Sequence, residues 1–137
     1  MPPDPELVAE TKAWLAKAQL DLRAANHELT ADPPLYEDIL FHAQQAVEKC
    51  LKSFLVWHKV FFRKTHSLEE LGEACLRLEP VLRSLVDRAV PLTEYAWKFR
   101  YPGEEEAPAA DEAQEALAIA REVFAAIADK LPDEVKP

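Results

Sequence analysis

FHAQQAVEKCLKSFLVWHKVFFRKTHSLEEL, residues 41–71, joins a long amphipathic helix to a basic connection and then to the capped start of another helix. Counting back to the start of that first pattern, Ile39, Leu40, Ala43, Ala46, Val47, Cys50, Leu51, Phe54, Leu55 and His58 recur at helical spacing from about Leu35 to Val60. The stripe they form is too wide for one partner, so this helix is predicted to be the central and most buried one. Ser67-Leu68-Glu69-Glu70 reads as a capping box. In it the Ser67 oxygen accepts from the amide of residue 70, and Glu70 reaches back to the amide of residue 67.

Outward from this stretch the chain continues in helices. Leu7, Thr11, Trp14, Ala18, Leu22, Ala25 and Leu29 predict a first helix from about Pro5 to Leu29. It stops before Asp32-Pro33-Pro34, because proline lacks an amide donor and restricts its predecessor. Downstream, Leu68, Leu71, Cys75 and Leu78 make a short apolar face. A further helix is expected from Pro80, with a kink or restart at Pro91 and a continuation through Leu92, Tyr95, Ala96 and Phe99. Arg100-Tyr101-Pro102-Gly103 and the acidic turn Glu104-Glu105-Glu106 then break the pattern, and a last helix runs from about Pro108 to Leu131. With two glycines in 137 residues and 49% apolar content, the chain suits helices far better than hairpins. The predicted fold is all-α: an antiparallel up-and-down bundle of four long helices plus one short helix. It is expected to form a single domain over residues 1–137, with its core at about 5–131.

Several function classes are excluded or disfavoured. No apolar run approaches the ~20 residues a membrane span needs. The start, MPPDPE, has neither the basic nor the apolar part of a signal peptide, so the expected compartment is the cytoplasm. Cys50 and Cys75 fall on apolar helix faces and are expected to be reduced and buried. His27, His42, His58 and His66 share no ligand spacing, so neither a metal nor another cofactor is expected. There is no nucleophile elbow and no phosphate-cradling glycine loop. From generic motifs the enzyme case is weak, and no residue is assigned a catalytic role.

The basic connection carries more information. Lys49, Lys52, Lys59, Arg63 and Lys64 lie within positions 49–66 without an intervening carboxylate, in a chain with 16 basic and 25 acidic residues and a net charge of −9. Such a local excess of positive charge is a place for an anion to dock. Lys49 and Lys52 are one turn apart, and Lys64 and His66 precede the amide-rich start of the next helix. Arg100 followed by Tyr101-Pro102 places a planar cation and a ring at a chain exit, a pair able to hold a phosphate and pack on a base. The expected ligand contacts are therefore Lys49, Lys52, Lys64, His66 and Arg100, with Tyr101 against a base. The bland alternative is ordinary surface ion pairing, with Arg100 capping its own helix. Trp57, Phe61 and Phe62 look too many for one small core and predict an oligomer, a symmetric dimer or a dimer of dimers.

FHAQQAVEKCLK (41–52), KTHSLEEL (64–71) and FRYP (99–102) together resemble the HEPN family, the higher eukaryotes and prokaryotes nucleotide-binding domain. The resemblance spans about Trp14 to Ile127. It implies a helical bundle that usually forms homodimers, without a catalytic metal. Many small prokaryotic members of that family are encoded beside a minimal nucleotidyltransferase and act with it as a two-component, toxin–antitoxin-like pair. Others are metal-independent ribonucleases carrying an arginine followed four to six residues later by histidine. This chain departs from that motif, having Glu105, Glu106 and Ala107 at the corresponding positions after Arg100. The expected function is thus a non-catalytic nucleotide- or phosphate-binding module working with a nucleotidyltransferase partner. RNA is the less favoured ligand because the acidic run would repel its backbone. The alternatives are a ribonuclease toxin in which His66 replaces the usual histidine, and a purely structural dimer whose basic patch docks an acidic protein.

Overall fold

In the computed structural model, residues 2–103 and 105–137 are described; Glu104 of the predicted acidic turn lies outside them. Five α-helices account for most of the chain: α1 (Pro5–Leu29), α2 (Tyr36–Trp57), α3 (Leu68–Leu78), α4 (Arg83–Ala89) and α5 (Ala110–Asp129). There is no strand among the described residues.

The local signals explain the boundaries. Asp4 caps α1 by accepting from the Glu6 amide at 2.9 Å, and Pro5 opens the first turn, where its missing donor costs nothing. At the far end of α2 the helix closes three residues earlier than predicted. The Val60 amide donates to the Leu55 carbonyl at 2.9 Å and the Lys59 amide to Val56 at 3.0 Å, with Lys59 at φ 59°. This is a Schellman closure with lysine in the left-handed position that glycine favours. Ser67 caps α3 as expected, accepting from the Glu70 amide at 3.2 Å. The reciprocal half of the box is absent. The Ser67 amide donates instead to Thr65 Oγ1, and the Glu70 carboxylate takes the Arg63 guanidinium.

The predicted fourth long helix is not continuous. Its path is a 3-10 turn (Pro80–Leu82), then α4, then a second 3-10 segment (Val90–Ala96). Pro91 has no amide to offer the carbonyl of residue 87 and its ring crowds that carbonyl, so the chain tightens at Val90 and does not resume an α-helix.

α2 is the centre of the bundle. It packs along α1 and against α3, α5 and the second 3-10 segment. The ion pairs Asp21–Lys49 and Glu28–His42 fix α1 and α2 as antiparallel, since both pairs sum to the same residue total. Phe54, Ile39, Leu40 and Leu55 of α2 meet Leu15 of α1, Leu68 and Leu71 of α3, and Leu117 and Ile127 of α5 in one core. Cys50 and Cys75 are buried free thiols within it. No described helix is long and apolar enough to cross a membrane.

Candidate functional site

Central as it is, α2 is buried on most sides but keeps one partly open stripe: Asp38, Phe41, His42, Gln45 and Lys49. Beside this stripe the helix buries four polar side chains, Gln44, Glu48, Lys52 and Ser53, the last bonded to the Cys50 carbonyl. Burying a carboxylate and an ammonium costs several kcal/mol per ion unless they are paired and hydrogen-bonded. Here they are. Lys52 Nζ donates to Glu48 Oε2 at 2.9 Å, one helical turn away, and both side chains are under a tenth exposed. Lys52 Nζ also lies 5.3 Å from the centroid of the Trp14 ring and 5.8 Å from that of Phe62.

The other oxygen of Glu48 holds a side chain at the surface. His66 Nδ1 stands 2.7 Å from Glu48 Oε1, and Gln44 Nε2 donates to the same oxygen at 3.2 Å and to the His66 carbonyl at 3.4 Å. A carboxylate only accepts, so the Nδ1 proton sits in that bond and Nε2 is left for other partners. Glu48 is 4% exposed while the His66 side chain is 63% exposed. The arrangement is an imidazole on the surface whose tautomer and orientation are set by a buried carboxylate, itself held by Lys52 and Gln44.

The predicted contacts separate into different environments. Lys49 does not join Lys52: it pairs with Asp21 of α1 at 2.7 Å, while Lys52 turns into the bundle. The two share a helix but not a binding face, because each follows its own carboxylate. Lys64 is exposed and has no carboxylate within ion-pair distance among the described residues. Arg63 is matched by Glu70 at 2.9 Å. Arg100 lies across α2, 3.0 Å from Asp38 and with its guanidinium carbon 4.0 Å from the Phe41 ring centroid. Arg100 and His66 touch α2 at Phe41 and Glu48, seven residues or about 10 Å apart along the helix axis. Tyr101 is 81% exposed and packs on no other ring among the described residues. Two of the amides at the start of α3 are already engaged, Leu68 donating to Thr93 Oγ1 and Glu70 to Ser67, and Glu69 and Glu70 add negative charge. That helix start therefore offers an anion fewer amides than its sequence suggests.

Three functional features escaped the sequence reading. Glu48, one residue before the acid-free window, organises the centre, and its spacing of four from Lys52 was the available signal. Glu28 forms a second carboxylate–imidazole pair with His42 at 2.7 Å, and burial raises the Glu28 carboxyl above its ordinary range. Asp38 engages Arg100 across 62 residues, which no local pattern reveals. Among the described residues no three His, Cys, Asp or Glu side chains gather as a metal ion would require.

These features define an all-helical bundle with a polar, histidine-presenting face on its central helix. The sequence model of the HEPN domain matches residues 11–131, and the chain belongs to the HEPN domain family. No curated protein and no solved structure matches it.

Proposed function

We propose that this chain is a nucleotide- or phosphate-ligand-binding HEPN module, non-catalytic in itself, that works as a homodimer beside a nucleotidyltransferase carried on another chain in a two-component, toxin–antitoxin-like system. One observation carries the ligand-binding part: the Glu48-oriented imidazole of His66, with Nε2 outward and the uncompensated Lys64 two residues away. With Lys49 and Lys52 engaged by carboxylates, the contacts pass to His66, Lys64 and the remaining donors of Arg100. Support for the partner is family membership. Titration calorimetry with nucleoside mono- and triphosphates tests the binding: wild type takes up ligand and His66→Ala loses it. No heat at millimolar nucleotide contradicts the proposal. A nucleotidyltransferase in the adjacent reading frame that copurifies with this chain supports the pairing; an unrelated neighbour counts against it.

The same geometry favours a second reading. An imidazole with Nδ1 held by a buried carboxylate and Nε2 free is arranged to accept a proton from an attacking hydroxyl. A metal-independent ribonuclease would use it in that way. Cleavage of single-stranded RNA in EDTA, abolished by His66→Ala, would establish this reading over the first; intact RNA with tight nucleotide binding would reject it.

A further inference from the structure

The connection between α2 and α3 contains two residues that fit their local environments badly. Lys59 occupies a left-handed backbone position, φ 59°, where glycine is favoured and a side chain is strained. Phe61, two residues on, is 92% exposed, although its neighbour Phe62 turns inward against Trp14, with ring centroids 6.4 Å apart. Neither choice helps the fold. Lys59 strains the helix closure, and Phe61 leaves a full ring in water. Residues that break local rules together, without a compensating packing contact, mark a surface kept for something outside the chain.

The surroundings of Phe61 indicate the occupant. Lys59 lines the same hollow as Phe61, Lys64 follows three residues along the connection, and neither meets a carboxylate within ion-pair distance among the described residues; His58 and His66 are exposed on the same connection. Beneath Phe61 is an open hollow of about 440 Å³ walled by Leu7, Val56, Val60 and Phe62, with Glu10 as its one carboxylate. A phosphate is repelled by Glu10 and attracted by the two lysines, whereas a flat uncharged base suits the apolar wall. A protein partner fits less well. A stable interface covers roughly 800 Å² on each side, and Phe61 is the connection's single large exposed apolar residue. One ring between two cations matches instead a stacking platform for a base with the strand's phosphates on either side.

We propose that residues 58–66 form a docking surface for single-stranded nucleic acid, with a base stacked on Phe61 and successive phosphates at Lys59 and Lys64. This rests on the reading that the α2–α3 connection receives a phosphate-bearing ligand, and it names that ligand as a strand. The chain's net charge of −9 does not prevent it, because at physiological salt charges beyond about 8 Å are largely screened and the local cations dominate.

Fluorescence anisotropy of the full chain with a labelled oligouridylate about twelve nucleotides long, in EDTA, tests the proposal. Phe61→Ala is expected to weaken binding about tenfold and Phe61→Leu nearly as much, since leucine keeps the apolar surface but not the ring. Both variants should melt like wild type, Phe61 being free of packing. Lys59→Gly should raise the melting temperature and yet weaken binding, a combination that a purely structural lysine cannot give. Full oligonucleotide affinity in Phe61→Ala overturns the proposal, and so does a Phe61→Ala effect confined to self-association in light scattering. If mononucleotides bind wild type but not His66→Ala while the strand is ignored, the strand proposal falls and the nucleotide reading stands. If neither binds, both fall.

Discussion

At Glu48 one carboxylate does two jobs, neutralising a buried lysine with one oxygen and orienting a surface histidine with the other. The energetic consequences differ sharply. Lys52→Ala leaves the Glu48 charge buried without its ammonium, held only by Gln44 and His66, and urea unfolding should show a loss of about 3 kcal/mol. His66→Ala removes a mostly exposed partner and should cost less than about 1 kcal/mol. A stability loss equal to that of Lys52→Ala would mean His66 is a structural staple. Glu28 gives the pH signature of the other imidazole pair. Burial is the largest influence on its carboxyl and raises it above 4.5, partly countered by the His42 bond. The folded chain therefore holds that proton better than the unfolded chain. This contribution is present at low pH and disappears as pH rises through the folded-state value. Relative to Glu28→Gln, wild type should gain stability as pH is lowered from neutral towards 4.5; a constant difference would contradict it. The thiols are set by burial as well: Cys75 is pushed up to about 12 and Cys50 higher still. Neither should react with a disulfide reagent at pH 8 until the chain is unfolded.

Among the elements, α1, α2 and α5 were legible in the sequence because a 3.6-residue apolar period sustained over five turns has few alternatives, and prolines mark their approaches. The segment after Pro80 was legible only in part. Its apolar residues keep helical spacing, but Pro91 imposes a 3-10 path that spacing alone does not specify. The end of α2 was misplaced because the apolar run Val60-Phe61-Phe62 continues past a closure made by backbone bonds. The strain at that closure is measurable: Lys59→Gly should stabilise by about 1 kcal/mol, or about 3 °C in melting temperature. At α3, Gly72 permits close approach to α4. A Cβ there would stand 2.6 Å from Val86 Cγ1, and valine has no alternative rotamer to yield easily in a helix. Gly72→Ala should therefore destabilise by about 1–2 kcal/mol despite alanine's better helix propensity. A more stable Gly72→Ala variant would show that the two helices are free to part.

For the molecule as a whole, the family and the all-helical architecture were readable from residues 41–71 and 99–102, whereas the pairing of charges was not. Lys49–Asp21 spans 28 positions and Arg100–Asp38 spans 62, so these cations acquire their partners only when the helices pack, whereas Lys52 and Arg63 find theirs nearby in Glu48 and Glu70. The same packing disperses the aromatic cluster expected at the end of α2. Trp57 and Phe62 join the core and leave Phe61 outside, while Trp97 and Tyr101 stand exposed together at a different place. A homodimer should therefore depend on that second place. Light scattering at micromolar concentration should give twice the chain mass for wild type and the monomer for Trp97→Glu, and a monomeric wild type would reject the dimer. The most direct test of the site is the ring ¹⁵N spectrum of His66 during nucleotide titration. The Nε2 resonance should move on saturation in wild type and lose that response in Glu48→Gln. An unmoved Nε2 at millimolar nucleotide, or an undiminished response without the Glu48 carboxylate, would contradict a ligand site built on the Glu48–His66 pair.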